Sequence, residues 1–298
     1  MEILFGDGVL VASVLAIFFI GACLGSFINV MVLDYIAAFK KYGLEEKNEF
    51  VFAAAQLGKK KFWQGFLSRR SRCDHCRRDL GPLELVPFFS YLFQAGRCRA
   101  CKKPIDGSHF WVELVLGLYL VGLVYAVGAF GSMASLASLG FLFWLFVFLL
   151  LFFVALFDLR TQIIPDLAVM PVAGTLLVWL GYLVSTGSAA VPHFLEHLAA
   201  GVVFFGLFWL VWYGSAGQWI GYADAKLAFI AGLLFGFSAG FTALAVAFWA
   251  GAVLSLTQLS VERLSGRPES RQVPFGPYLV FGTWFVFVSG INLFSVTI

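Results

Sequence analysis

Charge is what this sequence has least of. Of its 298 residues 12% are charged, against about a quarter in a soluble domain. The deficit, with 61% hydrophobic residues and a mean hydropathy of +0.90, excludes an ordinary soluble fold. Histidine is scarce too: there are four, and none sits where a catalytic base is wanted. A nucleic-acid footprint is missing. The net charge of +3 comes from one loop that alternates basic residues with eight acids and has no interleaved aromatics. No cleaved leader is expected either. The first apolar run lacks a basic leader, is too long, and passes into "GSFINV" without a small-residue cleavage site.

What is present is a series of long apolar runs. Seven windows, 9–33, 110–130, 136–157, 167–184, 198–213, 241–261 and 278–298, have the length and composition of membrane-spanning helices. An eighth, 227–239, is short, and is counted as a crossing because otherwise three arginines of 262–276 would fall outside. Of the 20 Lys and Arg, 15 lie in 34–108. The excess of basic charge places that loop in the cytoplasm and the N-terminus outside. The predicted architecture is all-α: a polytopic membrane bundle of about eight helices. It divides into a first helix (1–33), a cytoplasmic loop domain (34–108) and a membrane core (109–298).

Four of the five cysteines read "CDHC" and "CRAC": Cys73, Cys76, Cys98 and Cys101. Two C-x2-C pairs in one loop are the spacing of a structural zinc site. Four thiolates leave no open position for chemistry, so the metal is expected to staple the loop. Disulfides or unrelated thiols are the alternatives, the former disfavoured in the cytoplasm. Cys23, in the first helix, reads as a small packing residue. Residues 37–71 read as an amphipathic stretch at the headgroups or as a solvated loop, and the segment between the cysteine pairs as one able to fold back onto the membrane.

Acids are few at the membrane edge. Asp158 follows 22 uninterrupted residues without charge, and Asp224 directly precedes the short window 227–239. Both fall at cytoplasmic helix ends on this topology. Two carboxylates meeting over one water share a proton, so one acts as base and the other as acid. That is aspartyl-protease chemistry, and it needs no histidine. Helix capping and an ion pathway remain open as other uses of these acids; Asp166, after Pro165, best suits a cap. His193 and His197 have i,i+4 spacing but read as a satisfied surface pair in an outer loop, with a metal site as the lesser alternative.

Several stretches together resemble the prepilin peptidases, the type IV leader peptidases of the GxGD aspartyl protease group. They are "GSFINV" (25–30), the two C-x2-C pairs, "VPFFSYLFQAGRCRACKKPI", "FWVELVLG", "FDLRTQIIPD", "GYADAKL" and "PFGPYL" (274–279). The resemblance implies Asp158 and Asp224 as the catalytic pair and the four cysteines as zinc ligands. It implies removal of the basic leader of prepilins and pseudopilins at the cytoplasmic face of the bacterial inner membrane. In many members it also implies methylation of the new N-terminus by S-adenosylmethionine, for which Gly25, Ser26, Asn29 and Glu84 are candidates. The partners expected are these substrates and the lipid bilayer. Three positions depart from the family pattern. Ala223 replaces the second glycine of G-x-G-D, "MVLDY" follows "GSFINV" where an arginine and a proline are usual, and His109 replaces an arginine. A non-enzymatic scaffold or transporter of the same fold is the alternative.

Overall fold

Long runs of Leu, Phe, Val and Ala on every side of a segment allow one structure in lipid: a helix, which satisfies its own backbone polar groups. The computed structural model describes residues 2–42, 71–73, 75–128, 138–265 and 273–294. The helices are α1 (Glu2–Tyr42), α2 (Phe89–Phe93), α3 (Ser108–Ala126), α4 (Leu139–Thr161), α5 (Asp166–Ser185), α6 (Val191–Gly214), α7 (Tyr222–Leu264) and α8 (Gly276–Ser289), with a 3-10 turn at Pro82–Glu84. Among the described residues there is no strand, only isolated bridges at Arg72–Asp79 and Arg97–Pro104. Among the described residues six helices are long and apolar enough to cross a membrane: Val11–Ala37 within α1, then α3 to α7. Apolar α8 is shorter, at 14 residues. The headgroup stretch expected at 37–71 lies mostly outside the described residues; up to Tyr42 the chain continues α1.

The chain forms two compact units, Met1–Leu142 and Phe143–Ile298. In the first, α1 and α3 touch backbone to backbone. A Cβ added at Gly21 would lie 2.8 Å from Gly117 Cα, and one at Gly25 would lie 3.1 Å from Glu113 Cα. Small residues four apart are how membrane helices approach closely when no hydrophobic force drives them together. Cys23 lies off this seam and is exposed; its expected packing role does not hold.

The second unit is held in the same way. A Cβ at Gly232 of α7 would lie 2.3 Å from Gly201 N of α6, and one at Gly282 of α8 would lie 2.2 Å from Ala243 O of α7. Large aromatics join α4 to its neighbours: Phe143 stacks on Trp179 of α5 at 4.3 Å, and Phe148 meets Phe287 of α8 at 4.6 Å.

The windows 227–239 and 241–261 are two helices that together make up α7; the chain turns back between them at Gly236 (φ 68, ψ −160). A Cβ at Gly240 would lie 3.2 Å from the Ala231 carbonyl oxygen, whereas nine residues of straight helix span about 13 Å. The break frees the Leu233 carbonyl, and His197 Nδ1–H donates to it at 2.8 Å. His197 is therefore a buried residue of α6 that closes a helix break; its ring meets that of exposed His193 at 4.2 Å, so the expected pair forms but His197 is not on the surface. Near the turn, Ser238 donates to Asn292 at 2.7 Å and the Leu293 amide to Thr242 at 3.1 Å.

Candidate active site

In the second unit, α4 runs uncharged to Asp158 and then stops. Thr161 Oγ1 donates to the Phe157 carbonyl at 2.8 Å, Gln162 takes a left-handed φ of 57°, and the Gln162 amide bonds Asp158 O at 2.8 Å. Pro165 then caps α5. Asp158 is 4% exposed and Asp224, in the first turn of α7, is 7% exposed. They come from different helices of the second unit.

Each carboxylate is held by one glycine amide, on Oδ2. Gly276 N–H donates to Asp158 at 3.0 Å and Gly221 N–H to Asp224 at 3.0 Å. Among the described residues no buried polar side-chain atom lacks a partner, so the other carboxylate oxygens are open to solvent. Asp166 opens α5 but is no cap. It pairs with Lys226, whose ammonium also lies 4.8 Å from the centre of the Tyr222 ring. Ala223 lies in the first turn of α7 and is absent from the left-handed positions. Alanine is thus unstrained where the family motif has its second glycine.

In the first unit the four cysteine sulfurs lie within 4.8 Å of one another, with Cys73 and Cys101 at 3.9 Å. A tetrahedron of ligands about 2.3 Å from one ion has edges of roughly 3.8 Å, so the set fits a metal. Two identical knuckles build it. Cys73 N bonds Arg78 O and Cys98 N bonds Lys103 O, each at 3.0 Å, while Arg77 and Lys102 share a φ of 59°. Backbone amides of Cys101 and Ala100 pull the Cys98 thiol down to about 6, and those of Cys76 and His75 lower Cys73. Both effects favour the thiolate that a metal binds.

The remaining sequence candidates lie in this unit. Gly25 packs on α3; Ser26 is half-buried; buried Asn29 donates its amide N–H to His109 Nδ1 at 2.8 Å. Glu84 serves the first knuckle, taking Arg78 at 2.6 Å and the Gly81 amide at 2.9 Å. These contacts hold its carboxyl below the usual range, the Gly81 amide contributing most. Buried Glu113 accepts the Phe88 amide at 2.6 Å, where Phe88 has a φ of 64°. Gly221 and Gly276 carry no signature of this role in the sequence, because a backbone donor has none in its side chain.

Family models match both halves of this arrangement. Residues 19–127 match "Bacterial Peptidase A24 N-terminal domain" and residues 145–256 match "Type IV leader peptidase family". A protein of Xanthomonas campestris pv. campestris is 30% identical over 70% of this chain and 69% of its own length. This chain belongs to the type IV leader peptidase family. Family relatives from Aeromonas hydrophila (27% identical, 93% of this chain and 91% of the relative) and Pseudomonas aeruginosa (28%, 94% and 91%) match over nearly the whole length. All three relatives bear the name prepilin leader peptidase/N-methyltransferase. No solved structure matches.

Proposed function

We propose that this chain is a membrane aspartyl endopeptidase that removes the basic leader of prepilins and pseudopilins at the cytoplasmic face of a bacterial inner membrane. The observation that carries the reading is a pair of nearly buried carboxylates, Asp158 and Asp224, at the ends of separate helices of one compact unit, each held by a glycine amide and each with one open oxygen. In this reading one carboxylate takes a proton from a water whose oxygen attacks the scissile carbonyl carbon. The other protonates the leaving nitrogen as the C–N bond breaks. The pair works as a unit, so neither role belongs to one residue alone. A substrate whose basic leader precedes an apolar helix suits this place: the helix stays in lipid while the scissile bond meets water.

The four cysteines, Cys73, Cys76, Cys98 and Cys101, are the ligands of a structural zinc ion, which supplies a crosslink and no chemistry. The first unit, with Gly25, Ser26 and Asn29 on α1, is the region we associate with methyl transfer from S-adenosylmethionine; the relatives' names support that second activity. Glu84, engaged with Arg78 and the Gly81 amide, belongs with it less directly.

The test is cleavage of a purified prepilin by the full chain in detergent. Asp158→Asn and Asp224→Asn should each abolish cleavage while the protein stays folded, as judged by circular dichroism. Normal cleavage by either variant removes the dyad.

A further inference from the structure

The segment "PFGPYL" contains no carboxylate, imidazole or amine, yet its glycine touches Asp158. Gly276 is the buried first residue of α8, and its N–H reaches Asp158 Oδ2 across 118 residues of chain. A Cβ there would lie 2.6 Å from that oxygen and 3.2 Å from Cγ. Only glycine therefore lets this amide meet this carboxylate. The turn is fixed on both sides. Phe275 packs against Phe248 of α7 at 4.9 Å and Phe208 of α6 at 6.5 Å. Pro277 follows, with its φ locked and no N–H of its own.

We propose that Gly276 is a positioning residue for the peptidase reaction. Its N–H anchors Oδ2 of Asp158 and so turns Oδ1 toward the attacking water and Asp224. The proposal rests on the assignment of Asp158 and Asp224 as the catalytic pair. The two carboxylates differ in how they are held. Asp224 takes its amide from Gly221, three residues away in the same helix start, so its orientation is local. Asp158 takes its amide from another helix, so its orientation depends on how the aromatic contacts of Phe275 seat α8. The bland alternative is that Asp158 merely stabilises the N-terminus of α8. That role predicts lost stability with unchanged turnover per folded molecule.

The experiment uses the full chain in detergent and a synthetic prepilin peptide carrying a basic leader, the scissile glycine and the start of the apolar helix. In Gly276→Ala the group displaced is the end of a rotatable side chain, so the carboxylate swings aside and the fold persists. We expect kcat to fall about 100-fold, the loss that a misplacement of about 1 Å brings, with KM and the thermal midpoint near their parent values. A second variant keeps the shape. Glycolic acid at position 276, introduced by nonsense suppression, turns the preceding amide into an ester; it deletes the N–H without adding a Cβ and weakens the Phe275 carbonyl as the acceptor for Tyr278 and Leu279, and a fall in kcat without a matching rise in KM is expected again. Should Gly276→Ala fail to fold, the ester variant decides. Parent kcat per folded molecule in the ester variant, with Asp158→Asn inactive, overturns the positioning role and leaves the dyad standing. Cleavage by Asp158→Asn would instead remove the dyad itself.

Discussion

Ala223 illustrates how one residue's backbone decides what a departure from a family motif costs. Glycine is favoured where φ is positive, and the GYAD segment has no such position. Gly221, with an extended φ of −72°, matters for a different reason: its amide closes onto Asp224, and a Cβ would lie 3.2 Å from Oδ2. We therefore expect Ala223→Gly to leave kcat/KM within about twofold, the effect of a change worth about 0.5 kcal/mol or less. It should slightly lower the thermal midpoint, since glycine is the poorer helix former by about 1 kcal/mol. A large gain in cleavage rate would mean that the second glycine has a task that α7 does not reveal. His197 and Cys23 carry the opposite lesson. One looked exposed and is buried, the other looked packed and faces outward. Spacing along a helix does not say which stripe meets a neighbour.

At the scale of the element, α7 is the organising piece, and its two ends can be tested separately. The turn at Gly236 combines a φ of 68° with Glu196 Oε1 only 2.8 Å from where a Cβ would sit. Gly236→Ala should destabilise the protein by about 1–3 kcal/mol, read as a lower thermal midpoint in detergent. Unchanged stability would argue against the reversal there. At the other end, Lys226 ties the start of α7 to the start of α5 through Asp166. This clamp lies two residues from Asp224 and fixes the helix end that carries it. Lys226→Ala should reduce leader cleavage. The exchange Asp166→Lys with Lys226→Asp should restore most of it, since the attraction survives the swap. No rescue would mean that Lys226 acts on the substrate or on lipid and not through Asp166.

On the scale of the molecule, one compact unit holds the four-cysteine cluster and the other the carboxylate pair. Cys98→Ser should release the metal, measured as metal per chain, and open residues 71–106 to protease while helix content stays. Because the aspartates lie in the other unit, leader cleavage per folded molecule should fall by less than about tenfold if the sites are energetically independent. A loss of several orders of magnitude with metal still bound would refute a purely structural cysteine site.

The apolar windows, the paired C-x2-C motifs and the two isolated acids were legible in the chain because each rests on side-chain composition at fixed spacing. Lipid allows little besides helices, and thiols at that interval have few other uses. Tertiary structure alone decided the rest. It turned the chain back between 227–239 and 241–261 at Gly236, gave Lys226 to Asp166, and brought the amides of Gly221 and Gly276 to the two carboxylates. The amide contacts depend on backbone groups that every residue carries and on close approaches that glycine permits, and the ion pair joins residues 60 apart, so their meaning appears once the distant segments have met.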